Sequence, residues 1–146
     1  MSQALDIHTD GACSGNPGAA GIGVVIRRDG QVIKEISQYI GEATNNIAEY
    51  TALIVALKEA AALKAKELNI FADSELMCKQ VRGEYKLKNE TLKLLFEEVK
   101  KLAASFKSIN LQHVPREQNK EADKLAVAAI KKHQQAHVVA PAFKNA

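Results

Sequence analysis

Asp6-Ile7-His8-Thr9-Asp10-Gly11-Ala12-Cys13-Ser14-Gly15-Asn16-Pro17-Gly18 joins a β-prone run, a carboxylate, and a stretch with three glycines and a proline. Leu5, Ile7 and Thr9 alternate onto one face, which predicts a strand over Ala4–Thr9. Glycine has no Cβ, so its backbone turns sharply or comes close to a neighbour. A tight loop is therefore expected from Gly11 to Gly18. Asp10, ending the strand beside exposed backbone, suits a metal ion next to a phosphate. It equally suits an ordinary turn, and the rest of the chain decides between the two.

Working outward, Ala19–Arg28 reads as a second strand and Gln31–Ile40 as a third. Asp29-Gly30 between them is a strong hairpin signal. Gly41–Thr44 connects to a long helix, expected over Asn46–Ala65, with Ile47, Tyr50, Ile54, Leu57 and Ala61 as its stripe. Asn45 or Asn46 suits its cap, and Glu49 is expected in its first turn, where the helix dipole favours a carboxylate. Glu67–Ala72 is a short strand ending at Asp73-Ser74, so strand, helix and strand form a right-handed βαβ unit. Further helices are expected over Ser74–Val81, Glu90–Ala104 and Lys120–His133, with a fifth strand over Ser108–Val114 and a loop over Pro115–Asn119. The fold class is α/β, a mixed five-stranded sheet with helices packed on it. One domain is expected over 1–133. The tail over 134–146 holds a proline and no clear period, and is expected to be partly disordered.

The chain has 146 residues, enough for a core without staples. Its net charge of +3 does not by itself specify a nucleic-acid partner. No apolar run reaches the roughly 18 residues that span a bilayer, and the first residues lack a signal-peptide pattern. Cys13 and Cys78 form no CxxC pair and no zinc spacing. A cytoplasmic setting with free thiols and no membrane is expected.

Four acidic residues stand apart by context. Asp10 and Asp73 end strands expected to be parallel neighbours, about 4.8 Å apart across the ladder. Glu49 lies near the start of the crossover helix, and Asp123 in the first turn of the last helix. All four converge on one rim of the sheet. Singly, each also reads as a cap or a dipole-favouring residue. Gathered carboxylates repel, so a cation neutralises them or one stays protonated. Oxygen ligands without His or Cys point to Mg²⁺ or Mn²⁺.

Four stretches then carry a family resemblance: Thr9-Asp10-Gly11-Ala12-Cys13-Ser14-Gly15-Asn16-Pro17-Gly18, Thr44-Asn45-Asn46-Ile47-Ala48-Glu49, Asp73-Ser74, and Asn119-Lys120-Glu121-Ala122-Asp123-Lys124-Leu125-Ala126. In this order they resemble type 1 ribonuclease H, over about residues 4 to 133. The resemblance implies the ribonuclease H-like fold and two-metal cleavage of the RNA strand of an RNA–DNA hybrid, leaving 5′-phosphate and 3′-hydroxyl ends. It implies that Asp10 bridges two ions, that Glu49 and Asp73 hold one, and that Asp123 holds the other. Gly11, Cys13, Asn16, Asn45 and Asn46 match positions that contact the hybrid's minor groove. Thr44 matches a position that binds a DNA-strand phosphate, and Ser74 is counted with these substrate-facing residues. No protein partner is implied, and a monomer is expected.

Two departures from the family stand out. The basic protrusion with tryptophans that many members carry has no room between Val81 and Lys88. Lys79, Arg82, Lys86 and Lys88 then form a phosphate-facing patch or, more simply, a solvated face. The loop before Asp123 is compressed, and the mobile histidine of many members has no counterpart in it. His113 reads as structural, Arg116 as the candidate to approach the scissile phosphate, and Glu117 as an alternative metal contact. A hybrid-binding module without catalysis, or a related nuclease acting on another nucleic acid, are the rival readings.

Overall fold

Pairing along the first strand continues well past Asp10. In the computed structural model, which describes residues 4–145 and side chains of residues 4–136, β1 runs from Ala4 to Gly15 and pairs antiparallel with β2, Gly18–Arg28. The expected glycine loop is thus the end of a long hairpin, closed at Asn16-Pro17. The glycines read as a turn locally, but the pairing with β2 carries the strand through Gly11 as far as Gly15, where the backbone turns at a positive φ of 96°. Residues 1–3 lie outside the described residues.

A second hairpin joins β2 to β3, Gln31–Ala43, through Asp29 (φ 51°) and Gly30 (φ 81°), as Asp-Gly predicts. Helix α1 covers Asn45–Ala62, β4 Glu67–Ala72, α2 Glu75–Val81, α3 Glu90–Ala103, β5 Ser108–His113, and α4 Lys120–Asn145. A single 3₁₀ turn, Arg116–Gln118, fills the compressed loop. The strands lie in the order β3-β2-β1-β4-β5, with β1, β4 and β5 parallel.

The core lies between one sheet face and α1 and α3. It includes Leu5, Ile7, Val24, Ile26, Tyr50, Leu53, Leu57, Leu68 and Ile70, with Leu92 and Val99 closing it. Burying each large aliphatic chain contributes about 1.5–3 kcal/mol. Ala60, not Ala61, is the inward residue of the last turn of α1.

Three local expectations change. Thr44, not Asn45 or Asn46, caps α1, its Oγ1 accepting from the Ile47 N–H at 3.2 Å. Glu49 therefore sits beyond the first turn, and the dipole argument does not place it. The last helix does not end at His133 but continues to Asn145, so the backbone of most of the expected disordered tail is helical.

On the opposite face α4 lies directly on β2. A Cβ on Gly23 would fall 2.0 Å from the Ala122 carbonyl oxygen, and one on Gly21 2.4 Å from that of Ala126. Ala122, Ala126 and Ala129 complete this contact between small residues. Among the described residues no helix is long and apolar enough to cross a membrane.

Gly23→Ala forces α4 away from the sheet. Urea unfolding is expected to show a loss of about 3 kcal/mol at unchanged m-value, as overpacking a tight contact predicts. A loss below about 0.5 kcal/mol would show that α4 moves freely.

Candidate active site

Parallel pairing of β1 with β4 stops at Thr9–Ala72, one residue before Asp10. Asp73 follows the end of β4 directly, so both carboxylates stand where the parallel ladder finishes while β1 continues beside β2. Helix α1 comes in from one face. A Cβ at Gly11 would sit 2.4–2.6 Å from backbone atoms of Ala48 and Glu49, so only glycine allows this approach. The Gly11 N–H donates to Glu49 Oε1, which brings that carboxylate to the rim. Helix α4 comes in from the other face and delivers Asp123.

Carboxylate oxygens of Asp10, Glu49 and Asp73 lie within 4.8 Å of one another. Asp123 lines the same cleft, and its nearness adds to the forces that raise the Asp10 carboxyl. Asp10 is 4% exposed and Glu49 7%. Burial, then the charges of Glu49 and Asp73, push the Asp10 carboxyl up to about 10. Burial also raises Glu49, to about 7, against the lowering effect of the Gly11 N–H. Without a cation, burial and its acidic neighbours favour the protonated form of Asp10. This all-oxygen, crowded and buried donor set fits a hard divalent ion.

A cleft of about 560 Å³ opens over these groups. Besides the four carboxylate residues, Gly11, Cys13, Asn45, Asn46, Ser74 and Arg116 line it, as do Ala12 and Val127, which sequence reasoning did not single out. Asn16 and Thr44 lie in an adjoining cleft of about 410 Å³, shared with Asn45, Asn46, Asn89 and Thr91. Several of these side chains also hold the rim together. Asn16 Oδ1 accepts from the Asn45 N–H at 3.0 Å, Cys13 Sγ donates to the Ala43 carbonyl at 3.3 Å, and Ser74 caps α2.

The compressed loop brings Arg116 to the cleft, with its guanidinium 80% exposed and 4.0 Å from Asp123. Glu117 and His113 are exposed and do not line the cleft. In the basic stretch, Lys79 pairs with Glu75 at 2.7 Å and Arg82 with Glu84 at 2.7 Å, while Lys86 and Lys88 are exposed. Asn119, named at first only as part of a motif, is 1% exposed and bonded to β1. A polar residue in a loop gave no sequence signal for such burial.

A mixed five-stranded sheet with a carboxylate rim at the end of its parallel ladder defines the ribonuclease H-like class. The family model described as reverse transcriptase-like matches residues 8–129. The chain is similar to a bifunctional protein of Mycobacterium tuberculosis, at 42% identity over 126 residues, covering 85% of this chain and 35% of that protein. It is similar to ribonuclease HI of Halobacterium salinarum, at 39% identity over 124 residues, covering 84% of this chain and 62% of that protein. Among solved structures, LC11 ribonuclease H1 in complex with an RNA/DNA hybrid superposes with a TM-score of 0.85 at 42% identity, covering 89% of this chain and 99% of that one. The chain belongs to this reverse transcriptase-like family and, within it, to the type 1 ribonucleases H. It spans about a third of the length of the mycobacterial relative.

The raised Asp10 carboxyl has a consequence for stability. The folded state holds a proton that the unfolded chain releases near pH 4, so Asp10's contribution is complete below about pH 4 and lost as pH rises toward 10. In chelator, Asp10→Asn, neutral at every pH, should melt at a higher temperature than the parent. The gap should widen from pH 5 to pH 9. A constant gap would show that Asp10 is not the proton-holding member.

Proposed function

We propose that the chain is an endonuclease that hydrolyses the RNA strand of an RNA–DNA hybrid. The observation that carries the reading is the meeting of Asp10, Glu49 and Asp73 within 4.8 Å at the floor of a cleft also lined by Asn45 and Asn46. Family membership supports it, as does the hybrid bound to LC11 ribonuclease H1. In this reading the catalytic unit is the single domain over 1–133.

Asp10, Glu49, Asp73 and Asp123 would hold Mg²⁺ or Mn²⁺. When bound, such ions supply charge neutralisation and Lewis-acid stabilisation at the scissile phosphate. Asp10 would hold such an ion as a carboxylate, without the proton that burial and the charges of its neighbours otherwise favour. The backbone of Gly11 to Cys13 and the amides of Asn45 and Asn46 face the minor groove, where 2′-hydroxyls both donate and accept and so mark the RNA strand. Asn16 extends this minor-groove surface, Thr44 would take a phosphate of the DNA strand, and Ser74 lines the same cleft as the carboxylates. Arg116, exposed at the cleft edge, offers a planar fork for two phosphate oxygens. Lys79 and Arg82 are already paired to acids, while Lys86, Lys88 and Arg116 are exposed. With few cations for phosphates, binding relies largely on groove contacts, and its dependence on salt is shallow, because the slope scales with the phosphates neutralised. The free thiols of Cys13 and Cys78 support a reducing, cytoplasmic setting, and a monomer satisfies the site.

The test is cleavage of an end-labelled hybrid with Mg²⁺, with Mn²⁺ and with chelator. Wild type should cut the RNA strand with either ion and not in chelator, and Asp10→Asn should not cut. Undiminished cutting by that variant defeats the reading, and binding without any cleavage leaves a hybrid-binding module instead. Arg116→Ala should lower kcat about tenfold, equivalent to ~1.4 kcal/mol. An unchanged kcat removes Arg116 from the site.

A further inference from the structure

Asn119 lies at the entry to α4 and makes bonds in two directions. Its Nδ2 donates to the Thr9 carbonyl at 2.8 Å, across 110 residues of chain. Its own carbonyl accepts from the Asp123 N–H at 3.1 Å, in the first turn of α4. Thr9 immediately precedes Asp10, and Asp123 lines the same cleft as Asp10. One residue therefore joins the backbone beneath the first carboxylate to the backbone that carries the fourth.

Two further observations separate this from ordinary packing. Asn119 Oδ1 is buried and has no partner. A buried amide oxygen left unpaired costs about 1–3 kcal/mol, so the side chain is explained by its donor and not by its fit. The contact of α4 with Gly21 and Gly23 sets how close the helix comes to the sheet. Small residues on both sides set distance well and sliding along the helix axis poorly. The Asn119–Thr9 bond supplies the missing coordinate.

We propose that Asn119 is a positioning residue that fixes α4 along its axis and so sets Asp123 against Asp10. This rests on the nuclease reading, in which Asp123 helps to hold the divalent ions.

The experiment measures Mn²⁺ binding to the full chain by calorimetry, without substrate, together with kcat and KM on hybrid. Asn119→Ala should weaken Mn²⁺ binding about tenfold or more, as loss of a partner supporting a ligand does. It should lower kcat while leaving KM within about twofold. In an Asp123→Ala background the same substitution should weaken Mn²⁺ binding no further. Asn119→Ser, which keeps a donor, should recover part of the affinity, and it carries the same comparisons if Asn119→Ala lacks a cooperative melt. Unchanged affinity in the single variant, or equal loss in both backgrounds, overturns the proposal. So does Asp123→Ala with undiminished Mn²⁺ affinity. A wild type that neither binds Mn²⁺ nor cuts hybrid refutes the nuclease reading itself. A wild type that does both, with indifferent Asn119 variants, refutes this inference alone.

Discussion

Like charges crowded in a buried place repel, and this constraint shapes the molecule around its rim. Asp10, Glu49 and Asp73 sit closer than free carboxylates would settle. They stay there because each is carried by an element that cannot retreat. Asp10 lies midway along a strand paired on both sides up to the end of β4. Glu49 is held by the Gly11 N–H and by a helix packed on the core. Asp73 is fixed between β4 and the capped start of α2. The core stabilises a geometry that the site alone would not adopt, and the proton on Asp10 relieves what remains.

Close approach is the means by which both sheet faces reach one rim. Helix α1 needs Gly11 and helix α4 needs Gly21 and Gly23, each at a place where a single added carbon would meet backbone. These glycines lie inside strands, where glycine usually weakens structure. Here they are the condition for Glu49 and Asp123 to meet Asp10 from opposite sides. One glycine of the recognised motif thus acts through packing as well as through its neighbourhood to substrate.

Much of this was legible in the sequence, for physical reasons. β4 was read with its observed bounds because a short apolar run closed by Asp-Ser has few alternatives. The Asp29-Gly30 hairpin was legible because both residues need positive φ. Asp10 and Asp73 stood out because topology places the ends of parallel strands together. What was not legible depended on distant partners. β1 runs on through Gly11 to Gly15 only because β2 pairs with it. Thr44 and the two asparagines after it are nearly equivalent caps, and the choice was settled by tertiary structure, with Asn16 bonding the Asn45 N–H. The helix beyond His133 was hidden by a proline and an absent period. The burial of Asn119 follows from a bond to a residue 110 positions earlier, which no local pattern encodes.

Several side chains expected to face a substrate are already engaged within the protein. Thr44 starts α1, Asn16 accepts from the Asn45 N–H, Cys13 donates to the Ala43 carbonyl, and Ser74 starts α2. A groove built in this way has given up its conformational freedom during folding. A nucleic acid arriving there meets a surface with little left to order, so less of its contact energy is spent on freezing the protein. For a chain with a net charge of only +3 and several cations already paired, rigidity compensates for weak electrostatic attraction. In the nuclease reading, a groove whose walls are set by folding would discriminate between duplexes by their width.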